Sequence, residues 1–62
     1  MTNETLSHAQ QWFISMGYDA EIDYSSLYLH LEGFSVQLSD GEIEARAEQY
    51  LNELNRELWQ TK

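Results

Sequence analysis

The stretch YDAEIDYSSLYLHLEGFSVQLS, residues 18–39, decides the fold, because its apolar residues recur at every second position and the phase of that alternation changes twice. Tyr18, Ala20, Ile22 and Tyr24 share one parity. After a phase change near Ser25-Ser26 the apolar set becomes Leu27, Leu29 and Leu31, and after a second at Glu32-Gly33 it becomes Phe34, Val36 and Leu38. Each set predicts a short strand with one apolar face. Connections this tight predict an antiparallel meander, and Gly33 supplies the positive φ that a two-residue hairpin needs.

On either side of this stretch the period lengthens to that of a helix. Between Glu4 and Met16, the residues Leu6, Ala9, Phe13 and Met16 fall at helical spacing, with Trp12 beside the stripe and Ile14 off it. Thr2 or Asn3 is placed to cap the start, Glu4 suits the positive end of the helix dipole, and Gly17 is placed to end the helix in a left-handed conformation. Downstream, Ser39-Asp40-Gly41-Glu42 matches a capping box. Ile43, Ala47, Tyr50, Leu51, Leu54 and Leu58 then form one stripe, Trp59 lies at its edge, and Glu42 to Arg46 is a favourably oriented i,i+4 pair.

The expected fold is therefore α+β in the order α-β-β-β-α, a three-stranded antiparallel sheet with both helices packed on one face. Residues 1–62 are expected to form a single compact domain, since nothing is left over for a second core. This order and length are similar to those of the double-stranded RNA-binding domain, a likeness of topology that carries no motif. The resemblance would imply phosphate contacts at the second helix, yet the helix opening at Ser39 has Glu42 and Glu44 where an RNA binder presents lysines.

Charge excludes more than length does. Eleven acidic side chains stand against three basic ones, for a net charge of −8. Glu4, Asp19, Glu21, Asp23, Glu32, Asp40, Glu42 and Glu44 all precede the first base, Arg46; after it, Glu48, Glu53 and Glu57 balance Arg46, Arg56 and Lys62. The whole excess thus lies in the first 45 residues. Such a field repels phosphate backbones and anionic lipid and attracts basic protein surfaces, so no direct nucleic acid and no membrane are expected as partners. The start lacks the basic and apolar blocks of a signal peptide, no apolar run reaches the roughly 18 residues of a membrane span, and a cytoplasmic location is expected. With no cysteine, thiol catalysis and thiolate metal sites are excluded.

The candidate site is the polar face of the sheet. Asp19, Glu21 and Asp23 alternate with Ala20 and Ile22, so their carboxylates should project from one strand at intervals of about 6.6 Å. The next strand is expected to add Tyr28, His30 and Glu32, and the third Ser35, Gln37 and Ser39. A polar outer face is also what any half-buried antiparallel sheet shows, and edge strands carry charge to discourage pairing. What solubility leaves unexplained is the missing lysine, because unrelieved like charge opposes folding. Asp19, Glu21, Asp23, Tyr28, His30 and Glu32 are accordingly the expected contacts with a basic protein, one that itself binds nucleic acid being the natural fit. In size and charge the chain resembles the acidic proteins that phages encode against restriction and CRISPR enzymes.

Other chemistries fare worse. Asp19, Glu21, Asp23 and Ser25 follow the first ligand positions of an EF-hand loop, but Tyr24 stands where its glycine must turn and His30 where its bidentate glutamate belongs. His8 and His30 are expected on opposite sides of the sheet, which precludes a shared metal or catalytic site. No nucleophile motif or phosphate loop is present, so neither an enzyme nor a bound cofactor is expected. The alternative to acidic docking is a self-associating or adaptor domain, a homodimer built from helix faces with Trp12 and Trp59 as apolar anchors.

Overall fold

The structure, a computed structural model, describes residues 2–60, with side chains described through Arg56. It contains α1 (Asn3–Ser15), β1 (Asp19–Asp23), β2 (Ser26–Leu31), β3 (Phe34–Gln37) and α2 (Asp40–Gln60), in that order. The strands pair in sequence order, β1-β2-β3, and both pairings are antiparallel. The expected α+β class and element order are those observed.

The helix ends follow from local chemistry. Thr2 is the N-cap of α1, its Oγ1 accepting from the Thr5 amide at 3.1 Å. At the other end the Gly17 amide donates to Ile14 O and the Tyr18 amide to Phe13 O, both at 3.0 Å, with Gly17 at φ +94°. That bonding pattern is a Schellman motif, and the apolar contact that accompanies such motifs is the edge-on pair of Phe13 and Tyr18, whose rings lie 5.8 Å apart. At the start of α2 the Glu42 amide donates to Ser39 Oγ at 3.3 Å. The return half of the expected capping box is replaced, because Glu42 Oε1 instead accepts from Arg46 Nε at 2.8 Å.

The core is Leu6, Ala9, Trp12 and Phe13 from α1, Ala20, Leu27 and Leu29 from the sheet, and Ile43 and Ala47 from α2. Helix α1 lies over β1 and, more lightly, β2, whereas α2 packs chiefly against α1. This lateral offset decides which apolar residues find cover. The Phe34, Val36 and Leu38 parity does share a face with the core, since Val36 pairs with Leu29 and Phe34 with Leu31. Yet Phe34 is 61% and Val36 37% exposed, and only Leu38 is half-buried against the core. The expectation that the helices cover the apolar face of β3 is thus corrected: they sit toward the β1 side and leave Phe34 and part of Val36 exposed.

Three other expectations change. Tyr24, read as the last inward residue of the first strand, is 93% exposed at φ +57°. The register pairs Asp23 with Ser26, so Tyr24 and Ser25 are the two loop residues of the hairpin and the phase break comes one residue early. Tyr18 and Met16 are about half exposed because both lie in the connection after α1, outside the periodic elements. Trp12, expected at the rim as an interface anchor, is buried at 8% exposure, covered by the Arg46 guanidinium 4.6 Å above its ring. The side chains of Leu58 and Trp59, like Lys62, lie outside the described residues.

Candidate functional site

Strand alternation places Ala20 and Ile22 against α1 and turns Asp19, Glu21 and Asp23 to the opposite face, where all three are exposed. Across the sheet Asp19 neighbours His30, which neighbours Ser35. Glu21 neighbours Tyr28, which neighbours Gln37, and Asp23 neighbours Ser26. Of the six expected contact residues, Asp19, Glu21, Asp23, Tyr28 and His30 share this face. Tyr28, in the middle of the sheet, is half-buried by its flanking strands.

Glu32 does not belong to that row. Strand β2 ends at Leu31, and Glu32 with Gly33, at φ +86°, forms the loop of the second hairpin. Its carboxylate therefore extends from the tip of the sheet. The place of Glu32 on the strand face is corrected: Glu32-Gly33, where the second phase change was expected, is itself the two-residue loop, so Glu32 has already left the strand.

Three polar links cross the face, two of them diagonal (Glu21 with His30, Ser26 with Gln37) and one directly across the strands (His30 with Ser35). His30 Nε2 meets Glu21 Oε1 at 2.6 Å, and His30 Nδ1 meets Ser35 Oγ at 3.0 Å. The Gln37 side-chain amide donates to Ser26 Oγ at 3.2 Å. A neutral imidazole serves both of its partners only as the Nε2–H tautomer, donating to Glu21 and accepting from the Ser35 hydroxyl; protonated, it donates to both. Glu21 is thereby held by a neighbour, while Asp19 and Asp23 have no bond or ion-pair partner among the described residues. These partners escaped sequence reasoning because both the direct contact of His30 with Ser35 and the diagonal one with Glu21 depend on register, and the register follows from exact loop lengths.

The order Ser35, His30, Glu21 has the connectivity of a nucleophile, base and acid. The surroundings that make such a relay reactive are missing from this face: the His30 and Glu21 side chains are 39% and 63% exposed, and the surface around them is a flat sheet. A small cavity of about 120 Å³ lies elsewhere, lined by Ser15, Tyr50, Glu53 and Leu54 of the helices. Among the described residues, no group of three or more His, Cys, Asp or Glu side chains is arranged to hold a metal ion. No described helix is long and apolar enough to cross a membrane.

Tyr24 is the residue that the sequence pattern concealed. It stands at the end of the acidic row beside Asp23, nearly wholly exposed, on a backbone conformation that costs a tyrosine about 1 kcal/mol or more. An exposed aromatic held on a strained turn next to charge is the kind of side chain that anchors an interface. His8, on α1, is half-buried and stacks on Tyr50 with ring centroids 5.6 Å apart.

No protein-family model matches this chain, and neither the curated proteins nor the solved structures contain a match to it.

Proposed function

We propose that this chain is a non-enzymatic inhibitor or regulator that docks through the acidic outer face of its sheet onto a basic protein surface, as a mimic of the nucleic acid that surface otherwise binds. The observation that carries the reading is the row Asp19, Glu21 and Asp23: three exposed carboxylates on one strand face with no Lys or Arg on that face among the described residues. The described bases lie on α2, where Arg46 is already engaged by Glu42, Gln49 and Trp12. Rigid carboxylates take arginine in charge-assisted, bidentate bonds, and an unmixed field speeds encounter with a cationic groove. Tyr24 adds an apolar contact at the end of the row, with Tyr28 and His30 as its less charged members. Phage proteins that block nucleic-acid-binding defence enzymes work by this chemistry, and we place the chain with them in kind.

The test is capture of a partner on the immobilised chain from its host's lysate at about 50 mM salt, elution by a salt gradient, and repetition with the variant D19N/E21Q/D23N. All three positions are exposed, so circular dichroism should match the parent. Elution below about 300 mM and a loss of roughly 3- to 160-fold in affinity in the variant are expected, as three exposed ion pairs contribute about 0.2–1 kcal/mol each. Equal binding by the folded variant would refute the acidic-docking reading.

A further inference from the structure

We propose that β3 is the surface through which two copies of this chain pair, edge to edge and antiparallel, to give a continuous six-stranded sheet. The proposal goes beyond acidic docking and does not depend on it.

Hydrogen-bond alternation identifies the open groups. The Leu38 amide donates to Leu27 O at 2.9 Å, and two-residue hairpins pair their flanking residues, here Leu31 with Phe34. Bonds between β2 and β3 therefore fall at Leu27/Leu38, Leu29/Val36 and Leu31/Phe34, and the amides and carbonyls of Ser35 and Gln37 point away from the sheet. Both residues are exposed. On the helix-side face of the same strand, Phe34 is 61% and Val36 37% exposed, because the helices lie chiefly over β1 and against each other.

The opposite edge is closed to such pairing. At β1 the Gln10 side-chain amide donates to Ala20 O at 3.0 Å, occupying one of the outward carbonyls. Asp19, Glu21 and Asp23 line that strand, so β1 against β1 would bring two carboxylate rows to about 5 Å. Edge strands are normally blunted by charge, proline or cover. Here β1 has charge and cover, while the residues of β3, Phe34, Ser35, Val36 and Gln37, have none of the three.

Charge and shape together select the second copy. With Ser35 on the two-fold axis, Phe34 of each copy lies opposite Val36 of the other, an aromatic and β-branched pair of the kind that stabilises sheets, and no carboxylate on either β3 faces another. The two β1 rows end five strand spacings apart, about 24 Å, well beyond the screening length of roughly 8 Å at physiological salt. The −8 charge of each copy opposes any self-association, but less here than at β1, where the carboxylate rows would meet.

Sedimentation velocity on the full chain from about 5 µM to 1 mM should show the mass rising from 7.3 kDa toward twice that value. V36K should remain monomeric throughout, with the circular dichroism of the parent. Because the chain has no cysteine, S35C carries a single thiol on the proposed axis, where paired Cα atoms lie about 5.5 Å apart, within disulfide range. It should oxidise to a covalent dimer at least tenfold faster than S25C, whose thiol is on the other hairpin tip. A parent chain that stays monomeric at 1 mM, a folded V36K that still dimerises, or S35C cross-linking no faster than S25C would overturn the proposal. If V36K fails to fold, the cysteine comparison decides. Raising salt from about 50 to 500 mM should leave the dimer intact or strengthen it, whereas docking through the acidic row weakens, so the two proposals fail separately.

Discussion

Phe13 and Phe34 are the same side chain in the same kind of apolar pattern, and replacing each by alanine measures how far the helices cover the sheet. Phe13 is 5% exposed within the core. Its removal forfeits the full transfer energy and leaves a cavity, a loss of about 3–5 kcal/mol. Phe34 is 61% exposed, so about two-fifths of its surface is out of water. Full burial of a phenylalanine contributes about 1.5–3 kcal/mol, and the fraction held here therefore contributes about 0.6–1.2 kcal/mol, with no cavity term because solvent already reaches the site. Against a total stability of about 3–9 kcal/mol for 62 residues, Phe13→Ala should remove about a third of the stability or more. Phe34→Ala should lower the melting temperature by only about 2–10 °C. Urea and thermal unfolding followed by circular dichroism at 5 µM, below the range in which copies pair, makes the comparison. A loss of 3 kcal/mol or more at Phe34 would refute the uncovered β3 face, and with it the geometry on which pairing rests.

Two further substitutions test local features. Tyr24→Gly removes the strain at φ +57° while adding backbone freedom to the unfolded chain, so stability should be unchanged or raised by up to about 1 kcal/mol, and partner capture should weaken; equal capture with a folded variant removes Tyr24 from the interface. Ser39→Ala deletes the cap on the Glu42 amide and should cost about 1 kcal/mol in urea unfolding, while a cost below about 0.3 kcal/mol would mean that solvent caps α2 as well as the hydroxyl does.

The element order was legible because period is a one-dimensional signal: the change from 3.6 to 2 at Gly17, and back at Ser39, needs no knowledge of the tertiary structure. So was the polar face, since alternation puts Asp19, Glu21 and Asp23 together however the strands are ordered. Cover was not legible. Nothing in the parity of Phe34 and Val36 distinguishes a strand beneath a helix from one beside it, because the lateral position of α1 and α2 is set by packing between the helices. The ends of β1 and β2 were misread for a related reason. Tyr24 and Glu32 extend the periodic pattern of their strands by one residue, and pattern alone cannot show that the chain has already turned. The link from Glu21 through His30 to Ser35 lay a step further off, since it needs both register and rotamer.

The geometry also limits what one copy can do alone. Carboxylates every 6.6 Å or so along β1 carry roughly half the linear charge density of a single DNA strand, which has one charge per 3.4 Å of helix axis. Three exposed ion pairs yield about 0.6–3 kcal/mol, a factor of roughly 3 to 160 in affinity and far short of a tight complex. The remainder must come from burial, for which Tyr24 is the placed residue, or from repetition. Pairing at β3 supplies repetition: both rows then face the same side of one sheet, about 24 Å apart, and a partner with two basic patches at that separation would engage the second row at a high effective concentration. The closed edge at β1 and the open edge at β3 thus divide the work, one strand presenting charge and the other multiplying it.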